Sequence, residues 1–396
     1  VIDKRKVLKN KSLLLGVTGG VASYKSVELV RRLIDEGASV SVIMTEAAQK
    51  FVTPLSLEIA SRNTVYTDLF SHPMAHITLP AHADFMVIAP ATANLIGKFA
   101  RGLADDLLST CLLAFRGKVL IAPSMNWRMY TNAVVQENLA SLLSRGVVQV
   151  GPEEGRLACG EEGPGRMSEV PDIVAAVESV LAKKDLLNER ILVTAGPTRE
   201  YIDPVRFISN RSSGKMGYAV ARAALRRGAD VILISGSTSL HRPQGVNFIP
   251  VETAEDMLRK VREEIPSSTV LVMAAAVADF MPREKSPGKI AKKDGLLLPL
   301  VRTPDILMEV SREKSRPFLV GFAAETGGKV GNAKKKLQEK KLDLIVFNDV
   351  TEPGAGFDVD TNKVILIDSK EQKKLPLLSK DEVADALLDR ITEIKA

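Results

Sequence analysis

Between residues 199 and 215 the chain gathers Arg199, Arg206, Asn210, Arg211, Ser212, Ser213, Gly214 and Lys215. Ser and Gly expose backbone N–H groups, and guanidinium and ammonium groups beside them suit a phosphate or a carboxylate. The segment follows an apolar run, Ile191 to Thr194, that reads as a buried strand ended by Gly196-Pro197. A long polar loop is expected next, with a helix restarting near Gly217-Tyr218. In an α/β sheet a ligand sits in the crevice beyond a strand's carboxyl end. On these grounds alone an ordinary solvated loop is an equal reading.

The first half offers a second constellation. A strand over Ser12 to Val17 runs into Thr18-Gly19-Gly20 and then a helix. With Thr45 and Thr92-Ala93-Asn94 at later strand ends, three ends converge on one crevice suited to a phosphate-bearing ligand. Neither half carries G-x-G-x-x-G, which disfavours a nicotinamide site. His76, just before the strand at 85–90, can exchange protons near neutrality, as can His72 and His82. Asn126 follows a further strand and can hydrogen-bond a carboxylate or an amide. Cys159 lies in a glycine-rich stretch, 151–167, where Arg156 and Arg166 would make it a proton donor or nucleophile. That stretch is too polar for a strand and too rich in Gly for a helix, so a mobile flap is expected. The spacing shows no metal-ligand cluster.

The elements that must position these residues repeat. Gly37-Ala38-x-Val40-x-x-Ile43 is echoed by Gly228-Ala229-x-Val231-x-x-Ile234, each preceded by a helical pattern; in the first, Val27, Val30, Leu33 and Ile34 share a face. Strands are expected at 85–90, 119–125, 270–280, 318–326, 342–349 and 363–368, with helices at 131–145, 171–183 and 331–341 and from Asp381 onward. Density in Val, Ile and Leu without clean alternation points to parallel sheets covered on both faces. The reading is two doubly wound α/β domains, 1–188 and 189–396, joined through the charged KKDLLNER, with residues 1–11 as a loose basic arm.

Composition narrows the function. A chain of 396 residues with 45% hydrophobic content can bury two cores. The net charge of +6 is spread along the chain and favours anionic small substrates at least as well as nucleic acid. With aromatics at 5% and one Trp, the stacking platforms of single-strand binders are not evident. The two cysteines, Cys111 and Cys159, make neither a disulfide framework nor a zinc pattern. No signal peptide and no apolar run of about 18 residues is visible, so a soluble, cytoplasmic protein is expected.

Longer strings carry a resemblance over almost the whole chain. GVTGGVASYK, MAHITL, APATANLIGKFARGLADDLLST, PSMNWRMY and LACGEEGPGRM resemble the flavin-dependent cysteine decarboxylases, which include 4′-phosphopantothenoylcysteine decarboxylase. TAGPTREYIDPVRFISNRSSGKMG, AAAVADF, GKIAKK, VGFAAET and FND resemble phosphopantothenate–cysteine ligase. Fused in this order they resemble the bacterial bifunctional coenzyme A biosynthesis family. The resemblance implies a flavodoxin-like domain followed by a Rossmann-like one. It implies FMN, held by Gly19, Thr45, Thr92, Ala93, Asn94, Leu95 and Ser124. It also implies an active-site His76, Asn126 on the substrate carboxylate, Cys159 returning a proton, and Arg156, Leu157 and Ala158 against the substrate.

In the second half the resemblance implies CTP with Mg²⁺. Asn210 and Arg206 fall around the phosphopantothenate carboxylate and its acyl-nucleotide. Ala274, Ala275, Ala276, Asp279, Lys289, Phe322, Lys336, Lys340 and the stretch Pro304, Asp305, Ile306 and Leu307 fall on the nucleotide. Lys289 belongs to a Gly/Pro-flanked loop able to close over a triphosphate. Lys336 and Lys340 share a helix face and would repel unless an anion or solvent lies between them. Asp279, expected at the end of an apolar strand, suits ribose hydroxyls or Mg²⁺. The implied partners are 4′-phosphopantothenate, cysteine and CTP, not nucleic acid or membrane. The implied homo-oligomer has trimeric decarboxylase units, with the flavin at a subunit interface, and dimeric ligase units. Two alternatives stay open: a flavin enzyme of this superfamily with another substrate, and a flavin-binding regulator that has lost catalysis.

Overall fold

The computed structural model describes residues 7–157, 160–291, 296–313, 316–327, 330–356 and 358–396. Ala158 and Cys159 lie outside the described residues. The chain forms two compact units that part between Ala182 and Lys183. Residues following that point pack on the second unit: Leu186 is in its core, and Asp185 pairs with Arg227 at 2.6 Å.

The first unit is built on six parallel strands, β1 (Ser12–Val17), β2 (Ser39–Met44), β3 (Val65–Tyr66), β4 (Phe85–Ala91), β5 (Lys118–Pro123) and β6 (Val148–Gln149). Their spatial order is β3-β2-β1-β4-β5-β6. Without the two-residue edge strand β3 this is the flavodoxin order. Leu13, Leu15, Val40, Val42, Phe85 and Val87 face one core, and Leu14, Ile43, Met86 and Ile88 the other. Burial on both faces is why no alternation shows in the sequence.

The described part of the amino-terminal arm is a correction. Val7–Asn10 form a turn, Leu8 is fully buried in the first core, and the Asn10 N–H donates to Gly37 O at 3.2 Å. Leu8, with Val7 packed beside it, docks the segment. The glycine-rich stretch is a second correction. It is an antiparallel hairpin, β7 (Glu153–Arg156) and β8 (Glu162–Arg166). Its glycines serve close approach. A Cβ on Gly165 would lie 2.1 Å from the Met125 carbonyl oxygen, and one on Gly163 2.8 Å from Trp127 Cβ.

The second unit carries an eight-stranded sheet. Its parallel part comprises β9 (Arg190–Ala195), β12 (Asp230–Ser235), β13 (Asn247–Pro250), β14 (Val270–Met273), β17 (Phe318–Glu325) and β18 (Leu344–Asp349), in the order β13-β12-β9-β14-β17-β18. Two more strands, Val364–Ile367 and Gln372–Lys374, extend it antiparallel. No helix occurs among the described residues between β18 and Val364, so the chain returns without the crossover a parallel strand needs. The loop expected after β9 contains a hairpin, β10 (Arg199–Tyr201) and β11 (Phe207–Ser209). The strand expected over 270–280 stops at Met273, and a hairpin of β15 (Phe280–Pro282) and β16 (Leu300–Arg302) follows.

The sequence echo is a real structural repeat. Gly37 and Gly228 have φ of +93° and +94°. In both, the next N–H reaches back into the helix, Ala38 to Leu33 O and Ala229 to Ala224 O, each at 3.1 Å. This left-handed stop turns each helix into its following strand. The helix Lys215–Arg226 packs closely on β9, because a Cβ on Gly217 would sit 2.6 Å from Ala195 Cβ.

Candidate functional site

At the carboxyl ends of β1, β2, β4 and β5 lies a cavity of about 1020 Å³. Gly19, Thr45, Thr92, Ala93, Asn94, Leu95 and Ser124 all line it, as do Asn126, Arg156 and Leu157. Thr18, just ahead of Gly19-Gly20, ties two strand ends together. Its Oγ1 donates to Pro90 O at 2.8 Å and accepts the Thr92 N–H at 3.1 Å. Ser23 Oγ donates to Thr18 O at 2.8 Å, and Ser26 Oγ to Ala89 O at 2.8 Å. A Cβ on Gly19 would meet Ala47 Cβ at 2.4 Å, so only glycine fits between the first and second strand ends. The wall is thus backbone held by small hydroxyls, a cradle into which a flavin phosphate and ring fit.

The charges around the cavity are mostly matched. Lys25 pairs with Glu169 at 2.9 Å, and Arg166 with Glu153 at 2.6 Å. Lys98 lies between Asp105 at 2.6 Å and Asp106 at 3.1 Å. Burial opposes its charge, but the two carboxylates outweigh that and raise its pKa, so it stays an ammonium. Asp106 also caps the helix Leu107–Ala114 through the Ser109 N–H. Behind it, burial first and then the Asp106 charge push the Cys111 thiol up to about 12, so Cys111 is inert.

Asn126 is set by its neighbours. Its Oδ1 accepts the Arg128 N–H at 2.8 Å, capping the short helix Trp127–Tyr130, and its Nδ2 donates to Glu161 Oε2 at 3.3 Å. Glu161 closes the hairpin turn, where Leu157 N–H donates to Glu161 O at 2.8 Å. The three histidines stand elsewhere. His76 lies on the helix Ala75–His82 and does not line the cavity; its Nδ1 is buried without a hydrogen-bond partner among the described residues. His72 meets the Tyr66 ring edge-on, and His82 Nδ1 pairs with Thr78 O at 2.7 Å.

In the second unit the chain order departs to either side of β9, which places a crevice between β9 and β14. Residues 274–278 run along one wall. Thr194 Oγ1 accepts the Ala275 N–H at 3.2 Å and Thr198 Oγ1 the Ala278 N–H at 3.0 Å. Asn210 Nδ2 donates to Ala276 O at 3.3 Å and Val277 O at 3.0 Å, so Asn210 and the alanines are brought together. Asp279 is exposed and precedes β15 instead of ending a long strand. Lys289 is exposed, and Phe322 is half-buried in β17.

Asp203 was not legible as a site residue. It is fully buried and accepts the Val205 and Arg206 N–H groups at 2.8 Å, Arg206 Nε at 2.9 Å and the Ile290 N–H at 3.2 Å. Burial alone would push its carboxyl up, but these donors outweigh it and hold the pKa at about 2. Arg206 Nη2 also donates to Ile290 O at 2.6 Å, so Arg206 and the loop of Lys289 form one braced unit. Lys336 and Lys340 do not share an anion. Lys336 pairs with Glu325 and Lys340 with Asp305, each at 2.7 Å. Asp305 caps the helix Ile306–Ser311, which also carries Leu307. A further cavity, about 520 Å³, opens beside Ser235–Thr238, Arg242 and Arg259; none of the expected ligase residues line it. Among the described residues no group of three or more His, Cys, Asp and Glu converges as a metal site, and no helix is long and apolar enough to cross a membrane.

Both units are therefore doubly wound α/β folds, the first with a cavity lined by small polar residues at its strands' carboxyl ends. The Flavoprotein family matches residues 2–182, and the DNA/pantothenate metabolism flavoprotein C-terminal domain matches residues 186–394. The coenzyme A biosynthesis bifunctional protein CoaBC of Vibrio cholerae is 46% identical over 394 residues, covering 98% of this chain and 99% of that protein. The CoaBC of Bacillus subtilis is 46% identical over 398 residues, covering 98% of each. A crystal structure of the C-terminal domain of a CoaBC is 42% identical, covers 54% of this chain and 98% of that one, and has a TM-score of 0.47. The chain belongs to this family of bifunctional coenzyme A biosynthesis proteins.

Proposed function

We propose that the first unit is the decarboxylase and the second the ligase of a two-step enzyme. The chain performs two steps of coenzyme A biosynthesis: ligation of cysteine to 4′-phosphopantothenate, and FMN-dependent decarboxylation of the product to 4′-phosphopantetheine. The observation that carries the assignment of the first unit is that every expected flavin-contact position lines a single cavity.

An unactivated carboxylate cannot leave as carbon dioxide without an electron sink, which bound FMN supplies. The protein's part is orientation and proton control. Asn126 donates an N–H to the substrate carboxylate, and Arg156, Leu157 and Ala158 hold the rest of the substrate under the hairpin. Cys159 returns the proton to carbon after decarboxylation. His76 stands off its own cavity. In a trimer with the flavin at a subunit interface it completes the site of a neighbouring copy. Phe51, Leu55 and Ile59, 52%, 62% and 66% exposed beside the second strand end, are an apolar surface suited to that contact.

In the ligase, the phosphopantothenate carboxylate attacks the α-phosphorus of CTP, releasing pyrophosphate and giving an acyl-cytidylate. The cysteine amine then displaces CMP. Arg206 and Asn210 serve the acyl side. Ala274 to Ala276, Asp279, Lys289, Pro304 to Leu307, Phe322, Lys336 and Lys340 serve the nucleotide, with Mg²⁺ on its phosphates and the units dimeric. Lys336 and Lys340 exchange Glu325 and Asp305 for phosphate when CTP enters. Catalysis here is positioning and charge neutralisation.

The test is a mass-spectrometric product assay with 4′-phosphopantothenate, cysteine, Mg²⁺ and CTP, with ATP in parallel. Pyrophosphate and 4′-phosphopantetheine, formed faster with CTP, are expected. Product stopping at phosphopantothenoylcysteine would remove the decarboxylase assignment, and equal rates with ATP would remove CTP as the preferred nucleotide. Native mass spectrometry of a monomer would overturn the assembly.

A further inference from the structure

The Glu161 carboxylate reaches three consecutive residues at the edge of the flavin cavity. Its Oε2 accepts Trp127 Nε1 at 2.8 Å and Asn126 Nδ2 at 3.3 Å, and its Oε1 accepts Arg128 Nη2 at 2.6 Å. Its own backbone oxygen closes the hairpin turn on the Leu157 N–H. Meanwhile Asn126 Oδ1 is held by the Arg128 N–H. An asparagine amide has an acceptor end and a donor end of nearly equal shape, and only its surroundings choose between them. Here a flip would set Oδ1 against the Glu161 carboxylate and Nδ2 against a backbone N–H. Both contacts would become repulsive. The negative charge of Glu161 therefore fixes which way the Asn126 amide faces.

We propose that Glu161 is a positioning residue of the decarboxylase: by accepting Asn126 Nδ2, its carboxylate fixes which end of the Asn126 amide is the donor at the cavity edge and ties that choice to the hairpin turn. This deepens the decarboxylase assignment above and rests on it. Glu161 acts through Asn126 and needs no contact with the substrate. A glutamine at 161 offers one oxygen and one NH₂ group to three donors, so at least one donor faces a donor, and the hold on the Asn126 amide is reduced to the Arg128 N–H.

The discriminating ligand is one that lacks the carboxylate. Glu161→Gln should raise the KM for 4′-phosphopantothenoylcysteine about tenfold, the scale of one hydrogen bond to a charged group. It should leave inhibition by 4′-phosphopantetheine, which has no carboxylate, within about twofold of the unsubstituted enzyme. Trp127 is the sole tryptophan, so its emission in the flavin-loaded full-length protein reports whether the clamp has opened. Retained flavin absorbance and an unchanged ligation rate establish that the variant is folded. A carboxylate-specific loss with a shifted Trp127 emission supports the proposal. Equal weakening of both ligands would make Glu161 a general hairpin brace and overturn it, as would a shifted emission with unchanged KM. If the unsubstituted enzyme binds flavin but does not decarboxylate 4′-phosphopantothenoylcysteine, the underlying assignment fails instead.

Discussion

Replacing Gly165 by alanine tests the close seating of the hairpin on the Asn126 turn. The Met125 N–H donates to Gly165 O at 3.0 Å, and a Cβ on Gly165 would stand 2.1 Å from the Met125 carbonyl oxygen. Real Cβ contacts essentially never fall below 3.0 Å, so the two backbones must part by about 0.9 Å. The obstructing atom is backbone and cannot swing aside. A displacement of about 1 Å at a positioned catalytic group costs about a hundredfold in rate. The expected result is therefore a fall of about 100-fold in kcat/KM for decarboxylation, followed by mass spectrometry of 4′-phosphopantetheine. Ligation in the same protein should be unchanged. Gly165 also has φ of +155°, which alone strains an alanine. Gly155→Ala is the control: its φ is +149°, but the nearest atom to a new Cβ is the end of Arg166 at 4.0 Å. A Gly165→Ala enzyme within about threefold of the original, or no worse than Gly155→Ala, would refute the reasoning.

Asp203→Asn should slow ligation at least about tenfold while leaving decarboxylation intact, because Arg206 and Ile290 both lose a charged acceptor. Its carboxyl is held at about 2 in the folded chain, below the roughly 3.9 of an unfolded aspartate. Its stabilisation is thus complete above about pH 4 and lost as pH falls toward 2; acid unfolding followed by circular dichroism should show this loss in the original protein and not in Asp203→Asn. Lys289→Gln should slow pyrophosphate release from CTP and spare decarboxylation; an unchanged ligation rate would remove Lys289 from the site. Cys159→Ser should release carbon dioxide without forming 4′-phosphopantetheine, and sustained turnover would exclude Cys159 as the proton donor.

Much of the architecture was legible because it is local. The runs LLLGV, FMVIAP and VILIS need only their own apolar density to be read as buried strands, and Gly37 and Gly228 announce their helix stops. The cavity at the carboxyl ends of the first sheet was legible through its small residues at strand ends. What escaped depends on partners far along the chain. The glycines of 151–167 read as looseness, whereas Gly163 and Gly165 exist to admit Trp127 and Met125. Leu8 looked like part of a basic tail until the first core was assembled around it. Glu161, Asp203, Thr194 and Thr198 are ordinary polar residues in sequence, and their roles come from contacts with residues 126–128, 290, 275 and 278. Lys336 and Lys340 are four apart, as the helical reading requires, but their ion-pair partners, Glu325 and Asp305, come from other parts of the chain.

The buried Asp203 has a consequence for altering this enzyme. One oxygen of its carboxylate, Oδ2, accepts both Arg206 Nε and the Ile290 N–H, and Ile290 adjoins Lys289. In the proposed ligase site the acyl and nucleotide sides thus share a single anchor. An attempt to widen nucleotide choice by remodelling the Lys289 loop will drag Arg206 with it, so selection for a new nucleotide should return compensating changes at the first hairpin of the second unit.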